Sequence, residues 1–196
     1  VGDAVKVNQR ALRELTATHD AQDCLLEGAV EEVALFVENC KSMLRQLVRE
    51  WSVEGQEERK VYMWIVERAR QYLPVNGSVL VPGAGLGRLP WELAKCGFAV
   101  QGNEFSNFML LPSEHILNHL HTPFPIHPFL FPFSNIISST DQFKTITIPD
   151  ILPAANSADI RDFSMPAGDF VQVYGGGEES EFKQHFDMVA GCFFLD

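Results

Sequence analysis

The sequence predicts an α/β fold in which a parallel, doubly wound sheet follows an α-helical N-terminal region. Three observations predict it. Helical steps of three and four run through the first seventy or so residues. From Ser78 onward, short apolar runs alternate with amphipathic stretches. The first of those runs ends in glycines at alternate positions, Gly83, Gly85 and Gly87, and the next run ends at an acid, Glu104.

Taken in order, residues 1–75 form the helical region. From Val30 the apolar positions Val30, Val33, Val37, Cys40, Leu44, Leu47, Val48 and Trp51 trace one stripe of a helix. A second helix is expected from Gly55 to Leu73, with Val61, Trp64, Ile65, Arg68 and Tyr72 at similar steps. Pro74, Asn76 and Gly77 then break the pattern. Residues 76–196 form the α/β domain. Val79 to Val81 reads as a buried strand, Leu86 to Cys96 as a helix stopped by Gly97, Phe98 to Gly102 as a strand, and Ser106 to about His119 as a helix.

The alternation lapses at about 121–160, where Pro123, Pro125, Pro128, Pro132, Pro149 and Pro153 are interleaved with phenylalanines. Those aromatics argue for an ordered insertion packed on the domain, partly a lid, rather than a linker. Strands resume at Asp162 to Met165 and at Met188 to Leu195, with Gly175 to Glu179 as an exposed turn between them. The chain stops at Asp196 as its fourth strand ends. A four-stranded sheet of this kind exposes an edge built to be central, so the expectation is a sheet truncated after the fourth strand.

Composition excludes several classes. A formal charge of −11 argues against nucleic acid and anionic membranes as partners. Cys24, Cys40, Cys96 and Cys192 form no C-x-x-C pair, so a zinc ribbon or dithiol centre is not expected. Charged residues interrupt the first thirty positions, which leaves no signal-peptide core there. The cytoplasm is the expected compartment, with the nucleus also open.

A strand that turns through glycines into a helix makes a nucleotide site for physical reasons. Glycine adopts backbone angles other residues avoid and lets a ligand press against the main chain. The helix start presents N–H groups that no helical carbonyl accepts. An acid ending the next strand, Glu104, can accept from two ribose hydroxyls. Here the loop reads G-x-G-x-G followed by Arg88, which stands where the third glycine of a dinucleotide fingerprint belongs. That favours S-adenosyl-L-methionine over NAD, because the adenosyl ligand carries no pyrophosphate. Taken alone, the glycines also suit a turn that binds nothing.

The stretch PGAGLGRLPWELAKCGFAVQGNEFSNFMLLPSEHILN, Pro82 to Asn118, closely resembles the carnosine N-methyltransferase family. The resemblance extends to QLVREWSVEGQEER before it and to FSN, PAGDF and GCFFLD after it. It implies a Rossmann-like class I methyltransferase fold with an added N-terminal helical region, and S-adenosyl-L-methionine as cofactor. Gly83 matches the family's cofactor-contacting glycine, with Gly85 in the same loop, and Glu104 matches its ribose acid. Asp169 and Phe170 match a pair holding the adenine, although by composition Gly168-Asp169 reads as a turn. Cys192 matches a residue lining the cofactor, against the plainer reading of a core cysteine. Gln46 and Arg49 match two upstream residues that reach the cofactor. Their one-turn spacing puts them on one helix face, which would otherwise read as solvated.

The reaction implied is transfer of a methyl group to an imidazole nitrogen of carnosine, or a related histidine-containing dipeptide, giving anserine. No catalytic residue is identified, and Asp196 is the one substrate-side candidate. Ile126-His127-Pro128-Phe129 departs from the family's pattern, which puts the substrate side or the lid in question. Two rivals stand beside this reading. His115, His119, His121 and His127 could hold zinc, although no metal is expected. A chain with a cofactor pocket but no substrate wall would be a non-catalytic binding module or partner subunit. A homodimer through the helical region is a further expectation from the family.

Overall fold

The computed structural model describes residues 2–16, 30–130, 138–157, 160, 162–176, 182 and 185–194, with 30–34 by backbone alone. Their contacts divide the chain into two compact units, Val1–Gln56 with Glu114–Ala154, and Glu57–Ser113 with Ala155–Asp196.

The first unit is built on two helices, α1 (Gly2–Leu15) and α2 (Val30–Trp51), the latter followed by a 3-10 turn at Val53–Gln56. The buried positions of α1 are Ala4, Asn8, Ala11 and Leu15, the i, i+4, i+7, i+11 steps of one face. On α2 the expected stripe is buried at Leu44, Leu47 and Trp51 and gains Met43. Val30 and Val33 belong to the residues known by backbone alone.

Much of the proline- and phenylalanine-rich stretch packs with these helices. Its strands β3 (Phe124–Ile126) and β4 (Ile146–Ile148) pair antiparallel, with α1 beside β3 and α2 beside β4. Each strand alternates buried, exposed, buried, so Phe124, Ile126, Ile146 and Ile148 share the covered face. Asn8 fixes the register of α1: its Nδ2 donates to the His127 carbonyl (2.8 Å) and its Oδ1 accepts from the His127 N–H (2.7 Å). Residues 131–137 of the stretch lie outside the described residues.

The second unit holds α3 (Lys60–Tyr72), β1 (Ser78–Pro82), α4 (Arg88–Lys95), β2 (Ala99–Asn103), β5 (Phe163–Ser164), α6 (Phe170–Tyr174) and β6 (Met188–Val189). Helix α5 (Asn107–Asn118) is divided between the two units. The four strands form one parallel sheet in the order β5-β2-β1-β6, the Rossmann-like arrangement the sequence predicts. Central β1 is apolar and buried from Val79 to Pro82 because a parallel sheet is covered on both faces. Val79, Val81, Val100 and Ala190 pack with Leu89, Leu93 and Ala94 of α4 and with Tyr62, Ile65, Val66 and Ala69 of α3.

Three expectations are corrected here. The face of α3 that packs is Tyr62–Ile65–Val66–Ala69, whereas Trp64 and Tyr72 are 56% and 71% exposed. Arg68 lies over the Trp64 ring (5.2 Å), so the aromatic stripe is capped by a cation at the surface and not by the core. The helix itself begins at Lys60, five residues later than expected. The last strand spans only Met188–Val189, because the chain bends at Cys192 and Phe193, the latter with a φ of +56°. Gly97, by contrast, stops α4 as expected, with a φ of +88°. Of the expected glycine turn, Gly175 and Gly176 are exposed, and 177–179 lie outside the described residues.

At the amino end of the sheet, Asp187 ties β6 to β1. Its Oδ2 accepts from the Ser78 N–H (2.7 Å) and the Ser78 hydroxyl (2.9 Å), while its own N–H donates to the Ser78 carbonyl (3.0 Å). The hydrogen bonds from Ser78, backbone first, hold the Asp187 carboxyl below the ordinary aspartate value of 3.8. A folded-state pKa below the unfolded one adds stability that is present above the unfolded value and is lost as pH falls through the folded one. Asp187→Asn therefore lowers the melting temperature at neutral pH. Melts at a series of pH values should show the gap from the parent closing below about pH 3.8.

Candidate functional site

After β1 the chain turns through three left-handed glycines, Gly83 (φ +61°), Gly85 (φ +58°) and Gly87 (φ +82°). An L-residue with a side chain would pay strain at each of these angles. The Ala84 N–H donates to the Asn103 carbonyl (2.9 Å), which seats the turn against the end of β2. Gly87 caps α4 without a side-chain hydrogen bond, and its carbonyl accepts from the Trp91 N–H (3.1 Å). Arg88, in the place of a third fingerprint glycine, is buried. Its Nε donates to Glu92 Oε1 (2.8 Å) and its guanidinium lies 5.5 Å from the Trp91 ring centre.

The strand order puts this turn at a topological switch point. From β1 the chain moves outward through β2 to β5, then crosses back to lay β6 on the other side of β1. Ligands bind in such sheets at the carboxyl ends of the strands where the order reverses. Gly83 follows β1 there, and Cys192 follows β6.

Glu104 closes the turn from the neighbouring strand. Its Oε2 accepts from the Gly85 N–H (2.9 Å), and its Oε1 accepts from the N–H groups of Phe105 (2.8 Å) and Ser106 (2.8 Å). A carboxylate offers about four acceptor positions. Three are engaged by main chain, so Glu104 keeps capacity for a further donor at the site. Its own backbone reaches the β5 loop: the Glu104 carbonyl accepts from the Gly168 N–H (2.9 Å), and its N–H donates to the Pro166 carbonyl (3.3 Å). Buried Asn103 reinforces that loop, its Nδ2 donating to the carbonyls of Gly168 (3.0 Å) and Pro166 (3.3 Å).

Asp169 and Phe170 follow this loop directly. Asp169 caps α6, its Oδ1 accepting from the Gln172 N–H (2.9 Å), which fits the turn reading of Gly168-Asp169. The cap leaves the second oxygen of the carboxylate for other donors. The Phe170 ring packs on Tyr174 (5.3 Å) and, edge to face, on Phe194 (5.6 Å). Phe194 lies against Gly83 so closely that a Cβ there would sit 2.6 Å from its Cδ2. One ring thus links the glycine turn to the Phe170 loop. Cys192 is half-buried against the apolar core, and its thiol is not in a disulfide.

Gln46 and Arg49 belong to the first unit. Both are half-buried, and both face the buried Glu50: Gln46 Nε2 donates to its Oε1 (2.7 Å), and Arg49 Nη2 lies 3.9 Å from the same oxygen. Asp196 lies outside the described residues. Among the described residues no group of three His, Cys, Asp or Glu could hold a metal ion. His115 is buried with no hydrogen bond to its Nδ1, its ring 6.1 Å from that of His119. His119 pairs with Glu114 (2.7 Å), and the His127 ring meets the Phe143 carbonyl (3.1 Å).

The sequence analysis missed Asn103, Phe105 and Phe194. Asn103 carried a signal, a polar residue closing an apolar strand just before the acid. Phe105 is 74% exposed, and its N–H donates to the Glu104 carboxylate. Phe194 could not be placed while its segment read as a continuous strand.

A parallel sheet with a glycine turn at its switch point and an acid one strand away is the Rossmann-like fold of methyltransferases. A sequence model described as carnosine N-methyltransferase matches residues 28–196. The chain is 42% identical over 170 residues to the carnosine N-methyltransferase of Schizosaccharomyces pombe, covering 82% of this chain and 45% of the relative. It is 40% identical over 179 residues to that of Mus musculus, covering 86% and 43%. "Carnosine N-methyltransferase unmet" of Drosophila melanogaster is 34% identical over 179 residues, covering 87% and 37%. The chain belongs to the carnosine N-methyltransferase family, and its matched part spans less than half the length of these relatives.

Gly83→Ala should destabilise the second unit by about 1–2 kcal/mol through its left-handed backbone alone, and by more through the clash with Phe194. Urea unfolding of Gly83→Ala with and without Phe194→Ala separates the two. The double variant recovers the clash but not the backbone strain.

Proposed function

We propose that this chain is the S-adenosyl-L-methionine-binding part of an N-methyltransferase that methylates an imidazole nitrogen of carnosine, or a related histidine-containing dipeptide, to give anserine. The observation that carries the reading is the family match, which runs through the glycine turn and Glu104 together. The turn and its acid fit the cofactor chemically. The left-handed glycines leave the main chain bare, and the Glu104 carboxylate retains an acceptor position for a sugar hydroxyl. The second oxygen of Asp169 would accept from an exocyclic amine, and Phe170 would pack on the adenine. Gln46 and Arg49 are the two further cofactor residues that the family resemblance assigns, with Arg49 suited to a carboxylate. A homodimer through the helical region belongs to the same reading.

Bound S-adenosyl-L-methionine supplies an electrophilic methyl group on a sulfonium. The acceptor needs no activation by the chain, because imidazole is largely neutral and nucleophilic near pH 7. What the chain must do is hold the ring in line and exclude water.

Calorimetry with S-adenosyl-L-methionine, paired with a methyl-transfer assay on carnosine, tests the reading. Micromolar binding of that donor, no binding of NAD, and turnover of carnosine are expected. Glu104→Ala should weaken donor binding about ten- to a hundredfold, since a hydrogen bond to a charged group is worth about 1.5–3 kcal/mol. Donor binding unchanged in that variant, or NAD binding in the parent, contradicts the reading. Binding without turnover would leave a cofactor-binding module.

A further inference from the structure

Asn103 is a buried amide at the carboxyl end of β2, and it serves two loops at once. Its carbonyl accepts from the Ala84 N–H of the glycine turn (2.9 Å). Its Nδ2 donates to the Gly168 carbonyl (3.0 Å) and to the Pro166 carbonyl (3.3 Å). Both side-chain partners are carbonyl oxygens, so only the amine end of the amide can face them.

The strand ladder explains why a side chain is needed there. Val100 pairs with Phe163 and Gln101 with Ser164, and the same register returns where Glu104 bridges Ala167. Between those points stands Pro166, which has no N–H to give the ladder. The Asn103 side chain adds its two hydrogen bonds at that break.

The residue held most firmly is the one before Asp169. Gly168 has a φ of +144°, and a Cβ there would lie 2.8 Å from Val173 Cγ2, so the chain enters α6 through a glycine. Its N–H is held by the Glu104 carbonyl (2.9 Å) and its carbonyl by Asn103. A peptide unit is planar, so fixing the Gly168 carbonyl fixes the plane from which Asp169 extends. The Asp169 side chain is held in turn by its cap to the Gln172 N–H. The second oxygen of Asp169 is thereby kept in one direction, although Asn103 does not touch it.

We propose that Asn103 is a positioning residue for base recognition: it holds the Pro166 to Gly168 loop so that the Asp169 carboxylate accepts from the exocyclic amine of the cofactor's adenine. This rests on the reading of the chain as an S-adenosyl-L-methionine site with Asp169 on the adenine. In that role one residue couples the two halves of the site, its main chain seating the glycine turn and its side chain aiming the base-reading acid.

Calorimetry on the full-length protein tests the assignment, with S-adenosylhomocysteine and its inosine counterpart, in which a carbonyl replaces the amine. The parent should bind the adenine compound about ten- to a hundredfold more tightly, as one hydrogen bond to a charged group allows. Asn103→Ser should bring that ratio to within about threefold, by weakening the adenine compound while the inosine compound stays within about twofold. Asp169→Ala should bring the ratio down as far, and Asn103→Ser added to it should lower the ratio no further, because the two residues act through one contact. Equal weakening of both compounds in Asn103→Ser overturns the assignment, by making the amide a brace with no part in reading the base. A ratio unchanged in Asp169→Ala also overturns it, and that variant leaves Asn103 in place should Asn103→Ser not fold. A parent that binds both compounds equally overturns this assignment and leaves the cofactor reading standing. A parent that binds neither overturns the cofactor reading and this assignment with it.

Discussion

Three main-chain N–H groups from two different loops converge on the carboxylate of Glu104. The Gly85 N–H comes from the turn after β1, and those of Phe105 and Ser106 come from the entry to α5. The backbone of the same residue is hydrogen-bonded to the loop after β5. One acid therefore fixes three strand ends relative to one another. The left-handed glycines can be bare and still ordered because a charge holds the middle one in place. Hydrogen bonds to a charged group are about twice as strong as neutral ones, so a single side chain can brace a turn that has no side chains of its own.

The rest of the sheet allows this convergence. Gly102 lets the turn, helix α4 and the β5 loop close on β2, since a Cβ there would meet Met165 Sδ at 2.7 Å and both Ala84 Cβ and Pro90 Cγ at 3.1 Å. Asn103 satisfies two loop carbonyls from a buried position. At the far end of the sheet, Asp187 and Ser78 align β6 with β1. The carboxyl edge and the amino edge of the sheet are thus both fixed by side chain-to-backbone hydrogen bonds, with apolar packing between them. The aromatic link from Gly83 through Phe194 to Phe170 closes the carboxyl edge.

Local features were the legible ones. The glycine turn, the acid and helix α4 each announce themselves within a few residues, and all lie where the sequence puts them. The packing face of α3 did not, because two stripes on that helix have helical spacing. The one with larger aromatics is the exposed one, where Arg68 lies over the Trp64 ring. The β3–β4 pair joins residues some twenty apart through strands of three residues, which leaves no periodicity to read. The apolar run at the chain's end looked like a long strand, yet the left-handed angle at Phe193 ends it early. Such an angle at a non-glycine residue has no sequence signature, and for the same reason the packing of Phe194 on the glycine turn escaped notice. Asp169 was legible as a turn former and serves as a helix cap.

The role of Glu104 as the brace of the glycine turn is tested most directly by amide hydrogen exchange in the parent and in Glu104→Ala. The account predicts that the amides of Gly85, Phe105 and Ser106 are protected in the parent and exchange faster in the variant, while those of Val79 to Val81 in β1 keep their protection. Equal exchange at the three amides in both proteins, or acceleration spread evenly across the sheet, would contradict it.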